Sequence, residues 1–422
     1  MSISFTFEPW LAHVRQHSRY YQRHLGHLPS QGCALQDIPV ADVNDYWSDS
    51  QDLDTWEVLT DRVQDALVFK TGGTTGQGKL SVYTHQEWQW MLDCFGRSLS
   101  TQLKAGDRVA NLFFSGDLYA SFLFIHGALS RVEAAITEFP FTGSVEPDIL
   151  ADAITAHHIN VLAGVPAHLL AFASHLNQQG RTLPQVTTVL FGGEHLFEGQ
   201  LPSLRSALPK ARFTSIGYAS VDAGLVGAST PDCNPGEHRV FDEQTRVEII
   251  DELSGDVIEA CDRPGNLVVT NFTRTLMPIL RYPVGDRACW REPVGTPRRK
   301  FALQGRSSHS QRVRVGVLSL SAPQINEIIQ GMAGDAQWQL IIEQVAGNDR
   351  VVLKWTPGVP LQAYESLSLA LEAALTRLYP GIERVGLEVR ACHARDLERH
   401  PRSGKHLPVI DRRSYGPTGR PQ

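Results

Sequence analysis

Four short apolar runs, DRVANLFF (107–114), INVLA (159–163), TTVLF (187–191) and RFTSI (212–216), alternate with segments of helical texture. That alternation constrains the fold more than any other feature of the chain. A buried helix is expected over Tyr119–Leu129, Pro166 opens a second through AHLLAFASHL, and a polar helix lies near 198–208. Strands with few polar positions, each followed by a helix, predict a parallel sheet with crossover helices, the α/β class.

The flanking regions read differently. The first seventy residues are aromatic-rich and lean towards helix, with turn chemistry around Pro29 and Pro39. Beyond 235, Arg246–Ile250, Asn266–Thr270 and Ile279–Tyr282 are short strands separated by turn signals, a small β-subdomain. After Arg306 comes an α+β unit: a strand pair, a helix over Ala322–Gln330, the hairpin WQLIIEQVAGNDRVVLKW, a helix over Tyr364–Leu378 and a strand over Arg384–Arg390. The stretch from Leu397 to Gln422 is basic and reads as loop. A boundary near 304–310 divides the chain into a large domain, 1–304, and a small C-terminal domain, 305–422.

Composition narrows the function classes. At 422 residues there is room for two or three domains. A net charge of −6 and only short basic runs, such as Arg298-Arg299-Lys300 and Arg412-Arg413, argue against a nucleic-acid binder. No basic region precedes an apolar stretch at the N-terminus, and no run is long enough to span a membrane, so a cytoplasmic protein is expected. Six scattered cysteines without a CxxC pair fit reduced thiols. Cys233 and His238 in DCNPGEH have the spacing of half a metal site, but no second pair of ligands accompanies them and a structural loop is expected.

The segment VFKTGGTTGQGKLSVY (68–83) carries chemistry. Gly73 to Lys79 matches a Walker A loop, yet the next residue is Leu80 rather than Ser or Thr, and a strand rather than a helix follows. The loop therefore joins two strands. Its glycines, the hydroxyls of Thr71, Thr74 and Thr75, and the ammonium of Lys79 suit a polyphosphate tail. A P-loop kinase or ATPase is the alternative that Leu80 opposes.

FGGEH (191–195), SIGYASVD (215–222), RYPVGD (281–286), LQGRSS (303–308) and HPRSGK (400–405) follow in that order. Together with the glycine-rich loop they resemble the adenylate-forming superfamily, and within it the short branch of phenylacetate–coenzyme A ligases and relatives. The resemblance runs from about residue 65 to 410. It implies a large domain with parallel sheets and a mobile C-terminal domain that turns about a hinge near Ser308. It also implies ATP- and Mg²⁺-dependent activation of a carboxylic acid, an aromatic one by this branch, as an acyl adenylate with release of pyrophosphate. Transfer would follow to coenzyme A, a carrier-protein thiol or a partner enzyme. Relatives with short chains and divergent motifs act in secondary metabolism, including phenazine antibiotic biosynthesis. A homodimer is one assembly to expect.

Residue by residue, the resemblance assigns Thr71, Gly72, Gly73, Thr74, Thr75, Gly76 and Lys79 to the ATP phosphates. Gly192, Gly193 and Glu194 go beside the adenine with Gly217, Tyr218 and Ala219, the Tyr218 ring stacking near it. Asp286 is assigned to the ribose hydroxyls, supported by Arg306, and Asp222 to Mg²⁺. Lys405 resembles the lysine that bridges carboxylate and α-phosphate, while Tyr119 and His126 are candidates for the acyl pocket. Two departures stand out. Val221 replaces the family's Thr or Ser, leaving Ser220 as the neighbouring hydroxyl, and Asp222 replaces a glutamate. Ser307, Ser308 and His309 stand where acidic hinge residues are usual. These departures support an alternative, a degenerate member that binds nucleotide or acyl ligand without turnover.

Overall fold

A computed structural model describes residues 7–29, 32–70, 79–116, 118–193, 196, 200–306, 312–316, 318–334, 336–345, 348–356, 364–393, 396–398 and 407–413. The chain divides into two compact units, one holding most residues up to Gln304 and the other most residues from Gly305 onward.

In the first unit the strands Thr137–Phe139, Arg108–Asn111, Val161–Gly164, Thr188–Phe191 and Arg212–Ser215 lie side by side in that order, all parallel. Val161, Leu162, Ala163, Val189 and Leu190 are wholly buried, which is why these strands read as unbroken apolar runs. Pro166 occupies the first turn of the helix Pro166–Gln178, as read from the sequence. The helix expected from Tyr119 starts at Ser121 and runs to Leu129, and it is not buried all round. Leu123 is half exposed, because nine nearly apolar residues give no polar face from which exposure could be read. The edge strand Thr137–Phe139 was not anticipated; its TEF sequence is too short and polar to signal.

The strands Ala66–Lys70 and Leu80–Thr84 pair antiparallel with Lys70 opposite Leu80, so Leu80 opens a strand as expected. The helix His85–Leu99 follows behind a capping box of Thr84 and Glu87. Glu87 is buried, and its second oxygen accepts the backbone N–H groups of Thr275 and Leu276, tying the helix start to the 275–276 turn.

The β region is larger than the three short strands inferred from sequence. Seven strands form one sheet in the order Thr245–Ile250, Gly265–Asn271, Ile279–Trp290, Lys300–Arg306, Glu237–Val240, Gly224–Ala228 and Tyr218–Ser220. The strand from Ile279 continues through the whole of RYPVGD to Trp290. Pro283 and Gly285 hide that continuity, since both usually interrupt strands. The N-terminal helices Phe7–His17, Arg19–Leu25 and Val43–Tyr46 bring Trp10, Tyr20, Tyr21, Tyr46, Trp47 and Trp56 into a core with Phe272 and Tyr282. The hydroxyls of Tyr21 and Tyr46 both donate to the Pro278 carbonyl at 3.0 Å, fastening this segment to the start of the long strand.

In the second unit a hairpin, Arg312–Val315 with Leu318–Ser321, precedes the helix Ala322–Ala333. A four-stranded sheet has the order Leu387–Ala391, Asn348–Trp355, Trp338–Val345 and Val409–Asp411, with the helix Tyr364–Leu378 between its strands in sequence. Two sequence readings change. The strand expected from Arg384 begins at Leu387, because Ile382–Val385 is a 3₁₀ turn bounded by Gly381 and Gly386, both at positive φ. The basic tail read as loop contains the strand Val409–Asp411, parallel to Trp338–Val345. Its Arg413 is buried. It pairs with Asp411 at 2.7 Å and Asp349 at 3.0 Å, so part of the basic composition is an internal ion pair.

Candidate active site

Two adjacent parallel strands end at Phe191 and Ser215, which lie opposite one another in register. The backbone of Gly192, Gly193, Ile216 and Gly217 emerges there, at the carboxyl edge where doubly wound sheets bind ligands. A Cβ on Gly192 would lie 2.4 Å from the Ile216 side chain. Gly217, at φ +125°, would meet Phe95 at 2.7 Å and the Gly227 carbonyl at 3.0 Å. Both positions need glycine for close packing rather than for a turn alone. Glu194 lies outside the described residues.

SIGYASVD and RYPVGD brace each other. Tyr218, half buried on the edge strand, donates its hydroxyl to Asp286 at 2.5 Å. Tyr282 donates in the opposite sense to Asp222 at 2.9 Å. Each motif thus supplies a tyrosine to the other's aspartate. Burial, followed by the Asp222 charge, pushes the Tyr282 phenol well above its ordinary range, so it stays a donor. The Tyr218 ring lies 5.8 Å from His238 and 6.2 Å from Phe301, and Ala219 pairs with Leu225 across the strand.

The turn bearing Asp222 is held from every side. The Val221 carbonyl accepts from Ser81 at 2.6 Å and from Tyr83 at 2.8 Å. Asp222 Oδ1 accepts from Ser220 at 2.7 Å and from the Ala223 N–H at 3.1 Å, and Asn271 donates to the Ala223 carbonyl at 2.9 Å. Ser220, the hydroxyl that sequence offered in place of the residue lost at Val221, is committed to Asp222 and accepts the Ala223 N–H as well. Beneath the turn lies Arg274, wholly buried, with its guanidinium carbon 3.5 Å from the centre of the Tyr83 ring and one nitrogen donating to Ser81 at 3.2 Å. Burial raises the Tyr83 phenol to about 12, with Arg274 pulling it down. Tyr83 therefore also stays protonated.

Arg281 explains why Tyr282 reaches Asp222. It has φ +44° beside a register shift between Val269 and Asn271, a local bulge that re-aims the next side chain. Its guanidinium pairs in a fork with Glu248, at 2.9 and 3.0 Å, and donates to the Ile38 carbonyl, while its own carbonyl accepts from the Ala41 N–H. Strain at a branched-free but non-glycine residue persists only where the surroundings over-determine it.

The remaining candidates fall in three groups. Lys79 stands directly before the strand Leu80–Thr84 with its ammonium 4.9 Å from the centre of the Trp47 ring. Thr71, Gly72, Gly73, Thr74, Thr75, Gly76 and Lys405 lie outside the described residues, and Arg306 ends the strand Lys300–Arg306. Gln339, wholly buried, bonds the backbone of both Glu398 and Leu407, the residues on either side of the Lys405 segment. Tyr119 is half buried in a bridge with Gly116. His126 bonds Glu138 at 2.8 Å, and Glu138 accepts from the buried Asn111 at 2.9 Å.

Asp222 is a suitable single carboxylate for Mg²⁺, which usually takes one or two carboxylates and fills the rest of its shell with water and substrate phosphate. No group of three or more His, Cys, Asp or Glu converges among the described residues. Cys233 and His238 sit in a segment organised by ion pairs: Arg239 bridges Asp232 and Glu292, and Glu237 pairs with Arg291. The Arg239 hydrogen bonds hold the Asp232 and Glu292 carboxyls below their usual range, and backbone N–H groups of Ser254 and Leu253, then Arg263, hold Asp251 at about 2. Depressed carboxyls contribute stability that is complete above their unfolded pKa and is lost as pH falls through the folded value. The urea midpoint should therefore stay level down to about pH 5 and fall below about pH 4.

Sequence reasoning missed Trp47, Ser81, Tyr83, Glu248, Arg274, Arg281 and Tyr282. RYPVGD contained two of them, but only its aspartate was singled out; Ser81 and Tyr83 lie in the strand after the glycine-rich loop and were read only as strand, and Trp47, Glu248 and Arg274 lie in none of the motifs.

Residues 28–276, more than half of the chain, match the family model for AMP-binding enzymes, and the chain belongs to that family. It is 22% identical to a phenylacetate–coenzyme A ligase of Aromatoleum evansii over 356 residues, 82% of this chain and 79% of that one. Its fold is similar to 2-hydroxyisobutyryl-CoA ligase in complex with 2-HIB-AMP and CoA, with a TM-score of 0.71 at 18% identity over 96% of this chain and 88% of that one. An amide bond synthetase from Marinactinospora thermotolerans matches with a TM-score of 0.54 at 16% identity, over 82% of this chain and 68% of that one. The fold is that of the adenylate-forming ligases. Among the described residues no helix is long and apolar enough to cross a membrane.

Proposed function

We propose that the chain uses ATP to activate a carboxylic acid, aromatic by analogy with its branch, as an acyl adenylate. The acyl group then passes to coenzyme A or another thiol or partner acceptor, in secondary metabolism. The observation that carries this reading is the reciprocal bracing of Asp222 and Asp286 by Tyr282 and Tyr218. Two carboxylates with separate environments, joined by this pair of bonds, suit two tasks on one nucleotide.

In this reading a carboxylate oxygen attacks the α-phosphorus, forming the O–P bond as the bond to pyrophosphate breaks. Such chemistry depends on positioning and charge stabilisation. Asp286 accepts the ribose hydroxyls, with Tyr218 fixing its orientation, and Arg306 adds support to the sugar. The backbone of Gly192, Gly193 and Gly217 lies beside the base. Thr71–Gly76 and Lys79 hold the phosphate tail, and Lys405 balances charge between the acid and the α-phosphate. Mg²⁺, held through Asp222, would neutralise phosphate charge. Residues 305–422 rotate between the two half-reactions about Ser308.

One observation favours the non-catalytic alternative: with Val221 in place and Ser220 bound to Asp222, that turn offers no spare hydroxyl to an α-phosphate. Turnover separates the two. Pyrophosphate release with a panel of aryl and alkyl acids, followed by loss of free thiol on adding coenzyme A, is the expected result. Nucleotide binding without release across the panel would favour the binding protein.

A further inference from the structure

We propose that Trp47, which belongs to none of the site motifs, is a positioning residue that fixes both Asp222 and Lys79. This rests on the reading of Asp222 and Lys79 as phosphate-handling groups.

The indole N–H of Trp47 is a donor only, and it meets the Tyr282 hydroxyl at 2.9 Å. Tyr282 must accept that bond, so its single proton is left for Asp222, 2.9 Å away. The hydrogen-bond direction at Asp222 is thereby set two residues upstream of it in the network. The face of the same indole holds the Lys79 ammonium at 4.9 Å, a cation–π geometry. One side chain thus touches the residue preceding the Leu80–Thr84 strand and the partner of the Asp222 carboxylate.

Trp47 is itself immobilised. Its ring stacks on Trp56 at 5.2 Å and meets Tyr46 edge-on at 5.0 Å. Trp56 donates to the Tyr46 carbonyl, and the Tyr46 hydroxyl is fastened to Pro278. Trp47 itself is buried, with 7% of its surface exposed. A buried indole N–H needs an acceptor in any core, and the N–H groups of Trp10 and Trp56 find backbone carbonyls; that of Trp47 is given instead to the hydroxyl that donates to Asp222. Partners of a liganding carboxylate typically carry 10–100-fold of affinity or activity.

The test is a pair of double-mutant cycles on the full chain. Trp47→Phe keeps a ring face and removes the N–H. It is expected to lower the acid-dependent exchange rate about 10-fold with the ATP KM changed by less than about 2-fold. In a Tyr282→Phe background the same change should cost less than about 2-fold, because the bond it removes is already without purpose. Trp47→Leu removes the face as well and should raise the ATP dissociation constant several-fold, an effect absent in a Lys79→Met background. Multiplicative losses in both cycles, or losses that follow thermal midpoints alone, would overturn the assignment. If the wild type binds ATP but exchanges with no acid, the proposed activity fails, and the Trp47→Leu/Lys79→Met cycle read on ATP affinity still decides the role of Trp47. Absence of ATP binding would overturn both.

Discussion

Replacing Glu248 by alanine should destabilise the N-terminal unit by about 3–5 kcal/mol, the cost of stranding one member of a buried ion pair. Both partners are nearly inaccessible, at 9% and 7% side-chain exposure, and the fork uses two nitrogens of Arg281. Arginine does not escape by losing its proton. The stranded guanidinium would keep only backbone carbonyl partners, at Ile38 and Gln36. It also sits on a backbone at φ +44° that the pair helps to hold, so the bulge should relax and Tyr282 should lose its aim at Asp222. Urea denaturation of Glu248→Ala beside the Glu248→Leu/Arg281→Met double variant checks this. The double variant, which removes both charges, should recover much of the loss.

Asp222→Asn should lower acid-dependent turnover by about 10²–10³-fold, the cost of losing one preorganised electrostatic group, with little change in thermal midpoint. Three donors converge on this carboxylate: the Ser220 hydroxyl, the Ala223 N–H and the Tyr282 hydroxyl. A carboxylate accepts all three. An amide has one acceptor oxygen, so in either orientation its NH₂ faces a donor. The charge is lost and the turn loses a bond at the same time. The rest of that turn, held through the Val221 and Ala223 carbonyls, is untouched, which is why stability should change little. Pyrophosphate release at saturating acid, with ATP varied, measures the effect.

Much of the fold was legible because its strands announce themselves: VLAG and TVLF are wholly buried and read as apolar runs. Where local texture and tertiary role part company, the sequence misled. Pro283 and Gly285 masked a twelve-residue strand, and the basic tail read as loop although it holds a strand and its Arg413 is buried between two aspartates. The same division holds at the site. Gly192, Tyr218, Asp222 and Asp286 lie in short motifs, and the structure joins Tyr218 to Asp286 directly. Trp47 and Arg274 reach the Asp222 turn through contacts between residues far apart in sequence, Trp47 to Tyr282 and Arg274 to Ser81. No spacing rule along one chain exposes pairs of that kind.

Acid-dependent exchange of pyrophosphate into ATP reads adenylation itself, run across aryl and alkyl carboxylic acids with Lys405→Ala alongside. Exchange with one class of acid is expected, reduced by about 10²-fold or more in the variant. ATP binding with no exchange from any acid in a broad panel, or exchange unchanged by Lys405→Ala, would contradict it.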